Sequence, residues 1–474
     1  MIRKYLLFYL LLFCFSQVSA QQYGLFNSKT LFDGFENPAQ KTFVLDSSRQ
    51  FASSFFLPNF GFHVGMKGNE NVLRTLAKEG IYSTADVALN TGQKNNLFLN
   101  SNIYILNFKL FKSYKYHQEI GLSWQVRADA QVNYTNETLA IVDNYLRFVN
   151  DVNPIFKDAF NGTGYAQSYH QFSFTYRENY DKKLAFGVKL SLLSGITYNE
   201  YNINKSYFAL ESPDGPLVAS LRGTYRASFL NGKELGKKTA APFFKNPGAS
   251  ISFGTTYTSK SGVFIMGNIK DLGFIKWSKN SYVNDFDNTN DPLVLDNLLD
   301  NRASAITSKV SDIISDNAGR AGFYSPTNAK ADFLIAKTFG FYRPSFIVSK
   351  DLFHQGGDVA LVNKFYNNGF SVSAIPTYNL HKFLMMGVQG MYQTPNFEVF
   401  IGSDNLFRTT SLLTANNDAT NVSTKYNTAS VYLGASIKFG YVVEHPLNSS
   451  YMPGVGDDQP GFFKRLFSIF KKGK

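Results

Sequence analysis

Side chains with catalytic or metal-binding chemistry are scattered along this chain, and one short run comes nearest to a site. Five oxygen-bearing residues fall at the spacing of a calcium-binding loop: Asp285, Asp287, Thr289, Asp291 and Asp296. The sixth loop position is Asn290 instead of the glycine that the sharp turn needs, and the twelfth is aspartate instead of a bidentate glutamate. A solvated turn is therefore the favoured interpretation, and calcium binding is the alternative.

The other reactive side chains also argue against catalysis. The six histidines are isolated from one another, and the sequence has no nucleophile elbow, phosphate loop or dinucleotide motif. The single cysteine, Cys14, lies in an apolar N-terminal run, so the chain after it has no thiol for a disulfide or a metal site. We predict that the protein is not an enzyme and that it has no metal or cofactor.

Polar side chains occur instead at alternate positions of long segments. In 119–134 every even position is apolar, and the odd positions are polar or small, among them Gln125, Arg127 and Asp129. Side chains of a strand point alternately to opposite faces, so this segment has one apolar and one polar face. At about 3.3 Å per residue the strand would be roughly 50 Å long, which suits a tilted strand that crosses a bilayer.

The same alternation recurs in 183–199, 217–229 and 429–441. Sixteen segments between residues 49 and 442 have strand character, among them 203–211, 216–229 and 249–258. An even number of strands is usual for bacterial barrels. The predicted fold is all-β, a transmembrane antiparallel β-barrel of 14–16 strands, and the alternative is a large soluble β-sandwich with shorter strands. The lumen-facing polar candidates, which could line a pathway or form a ladder of salt bridges, are Gln125, Arg127, Asp129, Lys189, Arg222 and Arg226.

The N-terminal residues predict export. Arg3 and Lys4 precede an apolar run that is too short to span a bilayer, and the small residues before Gln21 suit a signal peptidase. We expect cleavage near Ala20 and a multi-pass location in the bacterial cell outer membrane. The predicted domains are a signal peptide at 1–20, an N-terminal plug segment at 21–48, the barrel at 49–442, and a periplasmic spacer with a basic amphipathic tail at 443–474.

Helical periodicity appears in three long connections and in the tail. The connections 70–95, 137–160 and 291–320 are predicted to be helical extracellular loops, because the short turns of such barrels are periplasmic. In the tail, apolar side chains share one helical face opposite basic ones, as in helices that lie in a membrane interface. The membrane-interface residues of this tail are Phe463, Leu466, Phe467, Phe470, Lys464, Arg465, Lys471 and Lys472. We expect the helix to rest on the inner leaflet, and the alternative is docking on a partner.

The formal net charge of +12 is a signal of nucleic-acid binding in other contexts. An exported barrel meets no nucleic acid, so we predict no nucleic-acid partner. Outer-membrane lipid and lipopolysaccharide headgroups are the expected partners of the basic side chains. An anion-favouring lumen or merely solvated loop lysines would explain the charge equally well.

Two short segments resemble a known group of barrels. Glu36-Asn37-Pro38-Ala39 precedes the first strand, and Gly402-Ser403-Asp404-Asn405-Leu406-Phe407 closes the penultimate one. The chain is in these respects similar to outer-membrane β-barrels of unknown function from Bacteroidota that resemble the long-chain fatty-acid transporter superfamily, a group of FadL-like and PorV-like barrels. The resemblance implies a barrel of about 14 strands whose N-terminal segment plugs the lumen.

Two functions follow as expectations from the barrel and this resemblance. The first is passage of an apolar or amphipathic solute across the outer membrane. The alternative is a non-transporting scaffold or accessory subunit of a surface-assembly or type IX-like secretion complex, with a periplasmic or surface protein as partner. The resemblance favours transport.

Overall fold

The computed structural model describes residues 22–68, 84, 87–143, 146–149, 155–210, 216–230, 234–295, 308–309, 312–314, 318–413, 426–444, 455 and 460–471. The expected signal peptide lies outside these residues. So do most of the predicted helical loop 70–95 and much of the loop 291–320.

Strands dominate the described chain and form one antiparallel sheet. Their bounds are β1 Arg49–Ser53, β2 Asn59–Lys67, β3 Lys94–Ser113, β4 Gln118–Thr135, β5 Ile155–Lys157, β6 Gly162–Asn179, β7 Leu184–Leu210, β8 Leu217–Ala227, β9 Pro247–Thr258, β10 Val263–Lys276, β11 Tyr282–Asp287, β12 Leu293–Leu295, β13 Gly319–Arg320, β14 Tyr324–Pro326, β15 Lys330–Lys337, β16 Tyr342–Asp351, β17 Gly357–Asn367, β18 Phe370–Asn379, β19 Phe383–Gln393, β20 Phe397–Ser403 and β21 Tyr426–Val442.

These strands make a closed barrel of fourteen wall strands, because several short strands are pieces of one wall strand. β1 continues into β2, β5 into β6, β8 into β9, β10 into β11 and β12, and β13 into β14 and β15, since each group pairs with the same neighbours. The barrel closes where β21 pairs with β20 on one side and with β1 and β2 on the other. The predicted barrel fold is confirmed, at the lower end of the expected strand number.

The sixteen predicted segments become fourteen wall strands by two mergers. The segments 183–199 and 203–211 are one strand, β7, which is 27 residues long. The segments 216–229 and 249–258 both pair with β7, the first with its second half and the second with its first half. They therefore form one wall strand, interrupted by an insertion at 228–246.

The two faces of the wall differ in polarity as the alternation predicts. Large apolar side chains are exposed on outward rows all round the barrel, among them Ile103, Leu122, Phe174, Leu190, Phe253, Phe333, Phe346, Leu361, Val372, Ile401 and Leu433. The inward rows are buried and largely polar. An apolar exterior around a polar interior is the arrangement of a membrane barrel and the reverse of a soluble one.

Six short turns gather at one end of the barrel, the turn end, and the long connections lie at the other, the loop end, together with the short turn 380–382. The turns at the turn end are 114–117, 180–183, 259–262, 338–341, 368–369 and 394–396. The helices are α1 Leu31–Glu36, α2 Asn136–Asp143, α3 Leu146–Val149, α4 Lys237–Ala240, α5 Leu406–Leu413 and α6 Phe462–Lys471, with a 3-10 turn at Tyr23–Leu25. Residues 308–309 and 312–314 are also helical. None of these helices is long and apolar enough to cross a membrane.

The tail forms the predicted helix, α6, and packs on the outer wall at the turn end. Phe463 is buried among three rings of the wall, with ring centres 6.2 Å from Tyr176, 5.6 Å from Phe186 and 6.1 Å from Phe253. The backbone amide of Lys464 donates to Glu178 Oε1 over 2.7 Å, so a wall carboxylate caps the first turn of the helix.

The other tail candidates divide between the wall and the outside. Phe467 packs on Phe186, whereas Leu466 and Arg465 are exposed. The side chains of Phe470 and Lys471, and all of Lys472, lie outside the described residues. The helix thus packs on the barrel itself, because Phe463 and Phe467 contact aromatic side chains of the wall. Its location at the inner leaflet stays a prediction.

We expect Phe463→Asp to detach the tail helix without unfolding the barrel. Loss of the buried ring alone removes about 3–5 kcal/mol of packing. The measurement is the rate of trypsin cleavage after Lys464 and Arg465, beside the heat-modifiable gel mobility that reports the folded barrel. Phe462→Asp is the matched control, since Phe462 is 58% exposed. Equal cleavage rates for the two variants would contradict the docked position.

Candidate functional site

The interior of the barrel is filled by its own N-terminal segment. Residues 22–48, here called the plug, begin with the 3-10 turn and continue into α1, which Thr30 caps by accepting from the amide of Asp33 over 3.1 Å. The wall approaches this segment so closely that a Cβ at Gly187 would lie 2.1 Å from the carbonyl oxygen of Pro38. The Glu36–Ala39 segment therefore packs directly against the backbone of the wall.

Five cations of the wall hold the plug by its backbone. Each donates to a plug carbonyl: Lys109 to Gly34 over 2.8 Å, Lys364 to Gly24 over 2.9 Å, Lys438 to Thr42 over 2.8 Å, Arg343 to Asn27 over 3.0 Å, and Arg177 to Ala39 over 2.9 Å. These side chains come from β3, β17, β21, β16 and β6, so the plug is tied to the wall on several sides. Charge-assisted hydrogen bonds of this kind are stronger than neutral ones.

A buried ion cluster joins the plug to the wall strands β4, β7, β10 and β15. Glu36, the last residue of α1, accepts from Arg127 over 2.7 Å, and its second oxygen lies 3.6 Å from the ammonium of Lys270. Arg127 also pairs with Asp271, which lies 3.0 Å from Lys189. Lys270 in turn lies 3.2 Å from Asp332. We call these three cations and three carboxylates the plug cluster.

Glu36 is the plug's own contribution to this cluster. Burial alone would raise the pKa of Glu36, but the positive charges of Arg127 and Lys270 outweigh burial and lower the pKa to about 2. Asn102 and Tyr104 also donate to its carboxylate, over 3.0 and 2.7 Å. The carboxylate is therefore ionised at neutral pH. Its removal would leave Arg127 with Asp271 and Lys270 with Asp332 as their remaining carboxylate partners, and the buried cluster would have one negative charge fewer.

A β-bulge places two adjacent residues of β10 in the lumen. The register between β9 and β10 shifts between Ile269 and Leu272, and Asp271 has a φ of 54°, a left-handed conformation that aspartate tolerates. As a result Lys270 and Asp271 both point inward. Neither was among the sequence candidates, although the apolar residues Ile269 and Leu272 stand three positions apart instead of two, which is the signal of a bulge.

Four of the six sequence candidates lie in the lumen. Arg127 and Lys189 belong to the plug cluster. Asp129 accepts from Gln167 over 3.1 Å. Gln125 is fully buried, and its amide atoms have no hydrogen-bond partner among the described residues. The alternation of β4 and β7 therefore identified inward positions, but it did not identify Glu36 as their partner.

The other two candidates, Arg222 and Arg226, are corrected. Both are exposed and pair with exposed acids, Arg222 with Asp287 over 3.3 Å and Arg226 with Glu200 over 3.9 Å. On the opposite face of β8, Leu217 is buried against the helices α2 and α3 of the long loop. Near the loop end, the apolar face of β8 therefore points to the core formed by the loop helices, and its polar face points outside. In the membrane-facing wall the arrangement is the reverse, because there the apolar face points outside.

Two small polar cavities lead from the plug towards the loop end. The first, of about 40 Å³, is bordered by the plug residues Phe32 and Glu36, and the second, of about 60 Å³, by His354 and His381 near the loop end. Asn100, Asn328 and Lys330 line both. Each cavity holds only a few water molecules, so neither forms an open passage through the described part of the barrel.

The described residues contain no group of three or more potential ligands that could hold a metal ion. Asp287, from the calcium-like run, accepts from Thr289 and pairs with Arg222 on the exposed side of β11. Its contacts are those of a solvated turn.

Comparison with solved structures finds barrels of similar topology. The chain is 8% identical to the toluene transporter TbuX of Ralstonia pickettii, with 86% of this chain and 93% of that chain covered and a TM-score of 0.41. It is 8% identical to a FadL homologue of Pseudomonas aeruginosa, with 83% and 91% covered and a TM-score of 0.40. The toluene transporter TodX of P. putida is 8% identical, with 85% and 93% covered and a TM-score of 0.38.

Comparison with curated proteins finds no match. The model of a family of unknown function, DUF5723, matches residues 45–404, which is most of the barrel. The chain therefore belongs to the DUF5723 family.

Proposed function

We propose that this protein is an outer-membrane transport barrel in which the N-terminal plug is the gate. The observation that carries the proposal is the plug cluster, in which a single plug carboxylate, Glu36, completes a set of buried wall charges. A barrel that needed only to be filled could use apolar packing, which avoids the desolvation of buried ions. Here apolar packing of Phe32 and Phe35 on Tyr104 is combined with an ion cluster whose contribution is lost when the single carboxylate of Glu36 is neutralised.

The direction of the lumen supports the same function. The two polar cavities extend from the plug to the loop end, and the turn end, by analogy with other membrane barrels, faces the periplasm. Displacement of the plug would join these cavities to the periplasmic side. The lumen would then be a continuous passage.

The lining favours an amphipathic solute over a wholly apolar one. Phe98, Leu99 and Tyr165 offer apolar surface, and Lys330 and Asp351 offer charge at the same cavity. Lys330 and Asp351 pair with each other over 3.1 Å, and a passing hydrocarbon would displace the water around this pair without replacing its hydrogen bonds, whereas a solute with a polar group would supply them. We therefore include an amphipathic solute in the proposal.

The scaffold alternative has less support. Its docking element would be the tail, but α6 buries Phe463 against the wall of its own barrel. We do not propose it further.

A disulfide between plug and wall tests the gate. A Cβ built at Gly254 lies 3.3 Å from the Cβ of Ala39, close to the separation of bonded cysteines. Because the chain after Cys14 has no cysteine, the double variant Ala39→Cys/Gly254→Cys adds one defined pair. We expect vesicles that contain the oxidised variant to exclude sodium benzenesulfonate, an amphipathic anion, and vesicles with the reduced variant to swell in it.

Gly254→Cys alone is the matched control, and its flux should not respond to oxidation. Equal swelling of the oxidised and reduced double variant would contradict a gate formed by the plug. Absence of flux from every form, including the reduced one and the unmodified protein, would contradict transport itself.

A further inference from the structure

The outer wall has a concave apolar surface of its own, here called the wall groove. Its volume is about 1,070 Å³. Its lining includes the outward side chains Leu122, Trp124, Phe172, Phe174, Leu190 and Ile251. Behind it, Ser123, Ser173, Ser191 and Ser250 are neighbours on successive strands and face the lumen. These small side chains allow the wall to curve inward at this level, which makes the outside concave.

The wall groove is bounded at its lower end by the tail helix. Tyr176 and Phe253, which contact Phe463 of α6, are the next outward residues after Phe174 and Ile251 of the groove. The helix therefore lies directly below the groove, on the side of the turn end.

Residues 240–246, at the end of the insertion, bound the groove at its upper end. Phe244 packs on Phe172 with ring centres 5.7 Å apart, and His170, the outward residue above Phe172, contacts the carbonyl of Ala240 over 2.7 Å. Residues 240–246 therefore lie on the outer face of the wall and close the groove towards the loop end. The groove is therefore bounded on two sides, by α6 at its lower end and by residues 240–246 at its upper end.

Two lysines lie at this upper boundary. Lys245 follows Phe244 directly, and Lys276 is the next outward residue after Phe274 of the groove. Both are exposed, and neither forms an ion pair with another residue in the described part of the chain. Tyr324, whose ring lies 5.9 Å from the Lys276 ammonium, adds an aromatic side chain at the same level. The apolar surface thus ends at positive charge and aromatic rings, which is the composition of a membrane interface.

We propose that the wall groove binds an outer-leaflet lipid, with its acyl chains in the groove and its phosphate at Lys245 and Lys276. The groove lies on the membrane-facing side of the wall, so its occupant comes from the lipid phase. A phosphate-bearing lipid satisfies both the apolar lining and the unpaired cations. This binding does not rest on the transport proposal, because it takes place on the outside of a closed barrel.

Intrinsic fluorescence can report the occupant. The chain has two tryptophans. Trp124 lines the groove, whereas Trp277 is fully buried inside and donates to Ser325. The protein is reconstituted into phosphatidylcholine vesicles that contain a small fraction of lipid with brominated acyl chains, which quench tryptophan on contact. The brominated lipid is either phosphatidic acid or phosphatidylcholine, so that only the headgroup differs.

We expect brominated phosphatidic acid to quench Trp124 at a lower concentration than brominated phosphatidylcholine. Each lysine near an anionic headgroup contributes about fivefold in affinity. The double variant Lys245→Gln/Lys276→Gln should therefore lose the preference for phosphatidic acid. Trp124→Phe should lose the quenching, because Trp277 is shielded from lipid.

The matched control places the reporter on the far side of the barrel. Leu361, on β17, is an outward and exposed residue, and Leu361→Trp combined with Trp124→Phe should be quenched equally by the two lipids. A phosphatidic acid preference of the same size at both positions would overturn the proposal, as would equal quenching of Trp124 by both lipids. A preference that survives in the lysine variant but disappears on truncation after Pro460 would also overturn it, since the phosphate would then lie at α6.

Discussion

Glu36→Gln should convert the closed barrel into one that conducts ions frequently. Removal of one partner from a buried ion pair costs about 3–5 kcal/mol, because the other charges remain buried without it. If that cost falls on the plugged state, the ratio of open to closed barrels rises at least about a hundredfold. The measurement is the frequency of openings of single barrels in planar bilayers in potassium chloride.

A surface carboxylate provides the control for this variant. Glu200 pairs with Arg226, but both side chains are exposed, so Glu200→Gln should leave the opening frequency unchanged. If Glu36→Gln opens no more often than Glu200→Gln, the plug cluster is not the fastening of the gate.

The pKa of Glu36 also predicts how the gate responds to acid. Its value in the folded protein, about 2, lies below the ordinary value of 4.5. A carboxylate with a depressed pKa contributes stability above its unfolded value and loses this contribution as the pH falls through the folded value. Acid should therefore weaken the Glu36 fastening between about pH 4.5 and pH 2, while Glu36→Gln lacks this fastening at every pH.

Ile103→Arg should prevent the barrel from folding into vesicles. Ile103 is on an outward row of β3, opposite Val126, and is 39% exposed. An arginine on the lipid-facing side costs about 2–4 kcal/mol at the midplane of the bilayer. That is a large part of the stability of an ordinary protein. The measurement is the folded fraction in vesicles, from heat-modifiable gel mobility.

Asn133→Arg is the matched variant for the inner face. Asn133 lies an even number of residues from Arg127 and Asp129 on β4, so it belongs to the same inward row. Its side-chain amide forms hydrogen bonds with Asn96 and Thr163 near the loop end. An arginine there remains in polar surroundings, so folding should be retained. Equal folded fractions for the two variants would mean that the assignment of faces is wrong.

Local alternation was enough to predict the fold and part of the lumen. A strand presents every second side chain to the same face, so the inward positions Arg127 and Lys189 could be recognised from 119–134 and 183–199 without knowledge of their neighbours. Because alternation is a local property, it could not show that two separate segments belong to one wall strand. The two pieces 216–229 and 249–258 have separate alternation, and only their common pairing with β7 makes them one wall strand.

The meaning of an apolar face depends on what surrounds it. Near the loop end, Leu217 faces a core formed by α2 and α3, so Arg222 and Arg226 point outward, although their alternation is the same as that of β4. Sequence periodicity distinguishes two faces but does not say which of them meets lipid, because this depends on the height of the residue in the barrel.

By itself, then, the sequence determined the strands, their two faces, the barrel and the amphipathic tail helix, since each follows from side chains that are close along the chain. The tertiary structure decided which distant residues meet. It brought Glu36 to Arg127 and Lys270, turned Asp271 inward through a bulge, and placed α6 below the wall groove. These contacts join residues many positions apart. Their geometry is set by the closure of the barrel and the path of the plug, neither of which a local pattern contains.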